Sequence, residues 1–176
     1  MTMQRRYFLY GGLGAAGAAG GLWWAGRQEQ RQEQRLDAGP GGLWALRFPK
    51  PDGGELMLAA LRGRPLVLNF WATWCPPCIK EMPDLDRFQR QFAARGWQVV
   101  GLAVDSPAPV REFLARMPVS YAIGLAGAPG ADLSRSLGNE SGGLPFTAVF
   151  DAQGRIVRRK LGETRFDELA EWVNTL

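Results

Sequence analysis

The chain has 176 residues, 46% of them hydrophobic and 22% charged, which suits one globular domain of ordinary size with an extension. Its 21 basic and 17 acidic residues leave a net charge of +4 without a long basic run, so nucleic acid is excluded as a partner. Two cysteines and no histidine are too few nitrogen and sulfur ligands for a zinc site, and no metal or other cofactor is expected.

At the N-terminus, Arg5 and Arg6 precede an uncharged stretch, residues 7–25, that is rich in Gly and Ala and ends in Trp23, Trp24 and Ala25. A basic segment followed by an apolar one has the outline of an export signal. The stretch is also about long enough to span a bilayer, with arginines on the cytoplasmic side and tryptophans at the far interface. Residues 1–26 are therefore expected to be an export signal or a membrane anchor, placing the remainder of the chain outside the cytoplasm, in the periplasm. The run Arg5-Arg6-Tyr7-Phe8-Leu9 resembles the twin-arginine export consensus, with Gln4 where Ser or Thr is usual; the general secretory route is the other option. The tetrapeptide Arg27-Gln28-Glu29-Gln30 recurs as Arg31-Gln32-Glu33-Gln34, with nothing apolar to bury, so residues 27–39 are expected to be a polar tether.

Residues 40–176 read as the folded domain. Segments 43–48 and 55–61 flank a turn cluster with Asp52, Gly53 and Gly54 at the bend and predict a β-hairpin. Residues 66–71 are apolar apart from Asn69, as in a strand covered on both faces. A helix is expected over 76–95, ended by Gly96, then a strand over 97–104, a helix over 107–117, a short strand over 120–125 and a helix over 131–137. Segments 146–151 and 155–161 surround the turn Ala152-Gln153-Gly154 as an antiparallel hairpin, and a helix over 164–174 ends the chain. This order predicts a three-layer α/β sandwich around a mixed sheet, with sites gathered beyond the carboxyl ends of its strands.

Both cysteines lie there, in Trp74-Cys75-Pro76-Pro77-Cys78 directly behind the core strand. A sulfur at a helix N-terminus meets the positive end of the macrodipole and free N–H groups, which favour the thiolate. Cys75 is thus the expected nucleophile, with an exposed sulfur, and Cys78, on the same helix face, is expected to close the disulfide and resolve a mixed disulfide. Pro76 and Pro77 pre-set the first helical turn but remove two N–H donors, so stabilisation of the Cys75 thiolate is expected to be moderate. Resolution needs Cys78 to lose a proton in a shielded place, which calls for a base. Glu81 follows on the same helix face; by spacing alone it is either that base or a solvated carboxylate paired with Lys80 or Arg87. Pro83, inside the helix, is expected to kink it after the first turn. Trp74 is expected at the rim, shielding the sulfurs and joining a docking surface with Pro76 and Pro77.

Residues 67–78, Val-Leu-Asn-Phe-Trp-Ala-Thr-Trp-Cys-Pro-Pro-Cys, resemble the active-site strand and helix start of thioredoxin-like proteins, and in particular the extracytoplasmic branch that includes TlpA, ResA and CcmG (DsbE). Glu81 and Pro83 stand at that branch's spacing, Leu144-Pro145 resembles its cis-proline loop, a hairpin precedes the core strand, and an extra helix and strand lie between Pro107 and Leu125. Asn69 stands where cytoplasmic thioredoxin has a buried Asp. The resemblance implies a thioredoxin-like fold and thiol-disulfide oxidoreductase activity, with Glu81 tuning the active site. It also implies a cis peptide before Pro145, which would present the Leu144 backbone to an extended substrate segment. The implied role is a monomeric dithiol reductant of exported proteins that carry a disulfide or CxxC, such as an apocytochrome c, recharged by a transmembrane thiol donor. Two alternatives stand beside it: a general disulfide oxidant or isomerase, for which the Pro-Pro pair lacks a central His, and a non-catalytic domain that only chaperones an apoprotein.

Overall fold

A computed structural model describes residues 40–175. The expected export signal or anchor, residues 1–26, and the tether, residues 27–39, lie outside the described residues. Among the described residues no helix is long and apolar enough to cross a membrane.

The apolar run at 66–71 forms β3 (Leu66–Trp71), with every residue buried. It pairs in parallel with β4 (Gln98–Ala103) and antiparallel with β6 (Phe146–Phe150). Outside these lie β5 (Ala122–Leu125), parallel to β4, and β7 (Ile156–Leu161), antiparallel to β6, giving the mixed sheet order β5-β4-β3-β6-β7. Alternation along β3 splits its side chains between two layers. Val67 and Trp71 join a core with Met82, Leu85 and Phe88 of helix α2 (Pro76–Phe92) and Leu169 and Val173 of helix α5 (Phe166–Thr175). Leu66, Leu68 and Phe70 pack the other way, with Leu43, Trp44, Leu56 and Leu58. A strand sandwiched in this manner must be apolar on both faces, which is why its pattern is continuous.

Helices α3 (Pro107–Arg116) and α4 (Pro129–Ser136) flank β5 in sequence, so the expected helix-strand insert is present. Asp86 of α2 ties the insert down: its Oδ1 accepts from the Ser120 amide (2.5 Å) and hydroxyl (2.6 Å), and Arg90 pairs with its other oxygen. The hairpin exists as β1 (Arg47–Pro49) and β2 (Glu55–Met57), but both strands are shorter than expected. Its first part is taken by a helical turn, α1 (Pro40–Leu43), closed by Leu46 N–H to the Leu43 carbonyl at 3.0 Å; its end becomes a 3-10 helix, Leu58–Leu61, that buries Leu58. Burying Leu43, Trp44 and Leu58 against one layer outweighs the strand preference of these apolar residues.

The long helix stops at Phe92 and continues as a 3-10 turn, Ala93–Arg95, before Gly96 in the left-handed region at φ 88°. It runs through Pro83 as one helix. Pro83 is on the exposed side, while Met82 and Leu85 beside it are fully buried, so packing holds the helix across the missing hydrogen bond.

At the centre of the sheet, Gly101 pairs with Asn69 and leaves room for the indole of Trp71. A Cβ at 101 would lie 2.7 Å from Ile123 Cδ1, 3.0 Å from Trp71 Nε1 and 3.2 Å from Tyr121 Cε2. Gly101→Ala is expected to lower unfolding free energy by about 1–3 kcal/mol, read from urea denaturation, because three packed side chains must shift at once.

Candidate active site

The site is assembled where β3 runs out. Val104 N–H bonds the Trp71 carbonyl (2.8 Å), and the next turn is pinned by Asp105, whose Oδ2 accepts from the Thr73 amide (3.0 Å) and hydroxyl (2.6 Å). Cys75 N–H closes on the Ala72 carbonyl at 3.2 Å. Cys75 is then the extended N-cap residue of α2, with Pro76 and Pro77 at the first helical positions. Cys75 and Cys78 form a disulfide of 2.05 Å.

Cys75 is only 5% exposed and Cys78 0%, so the expectation of an exposed Cys75 sulfur is corrected. Bonding turns the Cys75 side chain back onto Cys78, and both sulfurs join the core cluster of Trp71 and Met82. Pro76 and Pro77, between the bridged cysteines, are exposed. Trp74 is 66% exposed at the rim. Leu144-Pro145 is a cis peptide; Pro145 is buried, and half-buried Leu144 packs against the cluster that contains both cysteines. The remaining loop is fastened by Gly162 N–H to the Pro145 carbonyl at 2.8 Å.

Glu81 is fully buried. Neither expected cation is its partner: Lys80 pairs with Glu163 at 2.8 Å, and the Arg87 guanidinium stacks 3.8 Å from the Phe166 ring centre. Its carboxylate is held by neutral donors instead. Asn69 Nδ2 donates to Oε1 and the Thr164 amide to Oε2, each at 2.6 Å. Asn69 Nδ2 also donates to Thr147 Oγ1 (3.1 Å), which lies 3.4 Å from Thr164 Oγ1. Burial outweighs these two donors and lifts the carboxyl to about 7, with Glu163 adding repulsion and Lys160 opposing it. A carboxyl poised there can take and return a proton near neutrality.

Sequence reasoning marks Asn69 only as a departure from Asp and has no place for Thr147, Thr164 or Asp105. Asn69 does carry a signal, as the one polar residue in an apolar strand. Thr147 opposes it in the antiparallel register, and Thr164 comes from a loop whose approach no local pattern encodes.

A carboxyl so disposed in a thioredoxin-type sandwich, behind a cysteine pair at a helix N-terminus and beside a cis-proline loop, defines a thiol-disulfide oxidoreductase site. The chain matches the model of the Redoxin family over residues 43–174 and belongs to that family, in its thioredoxin-like TlpA/ResA/CcmG branch. It is 26% identical over 127 residues to the thiol-disulfide oxidoreductase ResA of Bacillus cereus, covering 71% of this chain and 70% of that one. It is also similar to a solved thioredoxin-family thiol:disulfide interchange protein from Chlorobium tepidum, 30% identical with a TM-score of 0.62 over 72% of this chain and 91% of the other. A DsbF homologue from Corynebacterium diphtheriae, 24% identical, shares the fold with a TM-score of 0.66 over 74% of this chain and 83% of its own.

Since the folded protein keeps the Glu81 proton up to about pH 7 and the unfolded chain loses it near 4.5, the folded state binds more protons between these values. The stabilising contribution is complete below the lower value and is lost as pH rises through the upper. Compared with Glu81→Gln, the oxidised wild type is expected to lose on the order of 3 kcal/mol of stability across that window. Urea denaturation of both proteins at pH 4.5 to 8 checks this: parallel profiles would mean that the buried carboxyl does not titrate there.

Proposed function

We propose that the protein is an exported dithiol reductant, using Cys75 and Cys78 to reduce a disulfide in a partner protein outside the cytoplasm. The observation that carries this reading is Glu81, buried without a cation one turn beyond Cys78 and poised to titrate near neutrality. Reduced Cys75, as thiolate, attacks one sulfur of the partner's disulfide and forms a mixed disulfide, releasing the partner's first sulfur as a thiolate that takes up a proton. The Glu81 carboxylate accepts the Cys78 proton. The Cys78 thiolate then attacks the Cys75 sulfur, expels the partner's second sulfur and closes the Cys75–Cys78 bridge. Two electrons pass to the partner, which gains two protons overall, one of them returned by Glu81.

Trp74, Pro76 and Pro77 supply the exposed docking rim, and Leu144 with cis-Pro145 presents backbone to the segment that carries the partner's cysteine. The partner class is an exported CxxC protein, with an apocytochrome c as the leading case by resemblance to the CcmG and ResA branch. A transmembrane thiol donor recharges the bridge. Residues 1–26, with Arg5 and Arg6 before an uncharged stretch, deliver the domain to the periplasmic side, as a cleaved signal or a retained anchor.

Trapping tests this reading. Cys78→Ser is expected to accumulate a mixed disulfide on Cys75 whose partner mass spectrometry names, and Cys75→Ser to accumulate none. Reduced wild type should be alkylated by iodoacetamide at Cys75 before Cys78; the reverse order would overturn the assigned roles. In single-turnover reduction of a CxxC disulfide peptide, Glu81→Gln is expected to slow resolution by ~10²-fold, and unchanged rates would remove Glu81 from the chemistry.

A further inference from the structure

Three buried side-chain polar atoms have no hydrogen-bond partner among the described residues: Asn69 Oδ1, Trp71 Nε1 and Tyr121 Oη. The first belongs to the side chain that touches Glu81. One end of the Asn69 amide is doubly used, donating to Glu81 Oε1 and Thr147 Oγ1, while its other end has no partner. A buried amide with an idle carbonyl is held where it is by what its NH2 group does. At 2.6 Å from a carboxylate oxygen only a donor is tolerated, so this orientation is the one an anionic Glu81 selects.

We infer that Asn69 is a positioning residue that reads the charge of Glu81: its amide donates to the anion and, turned by half a rotation about χ2, offers Oδ1 to the protonated acid. The turned amide can still be met by Thr147, whose hydroxyl accepts in one arrangement and donates in the other. Each orientation leaves one amide end idle, Oδ1 in the first and Nδ2 in the second, so neither protonation state is excluded by an unpaired group that the other avoids. The Thr164 amide cannot reverse its role, and it fixes Oε2 while the proton comes and goes at Oε1. This rests on the proposed role of Glu81 in proton transfer and assigns the group that makes the transfer reversible.

Other charges around Glu81 are already engaged. Lys160 on β7 pairs with Glu168 of α5, and Glu163 in the loop before α5 pairs with Lys80 of α2. Asp84 of α2 accepts from the Phe166 amide at 3.1 Å, and Asp86 is paired with Arg90. Burial, with repulsion from Glu81 and Asp86, pushes the Tyr121 hydroxyl far upward, so it stays neutral. The Asn69 amide is thus the adjustable side-chain contact.

The oxidised protein isolates the effect, because disulfide cysteines do not titrate. The test follows the Glu81 carboxyl ¹³C shift and the Asn69 side-chain NH2 resonances against pH. In wild type both are expected to move with one common midpoint. Asn69→Leu, which removes the donor, should raise the Glu81 midpoint by about one unit or more, and Thr147→Val by less in the same direction. Asn69→Asp, of the same shape, sets two carboxyls side by side that must share a proton, so titration should split into two steps, the later one above the wild-type midpoint. It carries the test if Asn69→Leu does not fold. An Asn69 that only supports the fold would lower urea stability and leave the Glu81 midpoint in place. Such an unmoved midpoint, or NH2 resonances insensitive to pH, overturns the inference. Wild-type resolution rates in Glu81→Gln would instead remove the base role on which it rests, so the two failures are distinguishable.

Discussion

Everything around the disulfide is organised by one constraint, a carboxyl taken out of water without a cation. A buried charge of this kind is tolerated only if hydrogen bonds replace its hydration, and the fold supplies them from two distant places, β3 and the loop between β7 and α5. The same arrangement keeps the carboxyl neutral up to about pH 7, because two neutral donors cannot match what burial costs the anion. An Arg or Lys in place of Asn69 would hold Glu81 charged and unfit for the proton transfer proposed for it. Choosing an amide leaves both states within reach.

Glu81 also acts as a structural joint. Three successive contacts link α2 to the segment before and into α5: Lys80 with Glu163, Glu81 with the Thr164 amide, and Asp84 with the Phe166 amide. That segment is bonded in turn to Pro145 through Gly162. The helix that carries the sulfurs and the loop that would meet the substrate are therefore one mechanical unit.

How much of this is legible in the sequence depends on how local each feature is. The cysteine pair, the core strand and the order of elements follow from residues adjacent in the chain, as do the stops at Gly96 and the turn before β7. The expected hairpin is too long because Leu43, Trp44 and Leu58 are apolar for the sake of a shared layer rather than for strand pairing. Glu81 can be placed on the right helix face, but its surroundings cannot be read, since Lys80 and Arg87 offer local partners and find others across the fold. The Asn69–Thr147 pairing and the Thr73–Asp105 clamp join residues whose meeting is set by strand register and crossover connections. Residues 1–39 carry a reading that the described structure does not touch.

The far edge of the sheet bears on the same chemistry from another direction. β7 is an outer strand, and its exposed residues include Arg158 and Arg159, with Lys160 beside them. Charged edges discourage a foreign strand from extending the sheet. A protein proposed to work by briefly hydrogen-bonding an extended segment of its partner would gain from such a guard, because an incoming extended chain carries the very groups that an open edge would capture. With one flank discouraging adhesion, a client bound as proposed would be left the short stretch of backbone at Leu144, a contact small enough to release once the electrons had moved.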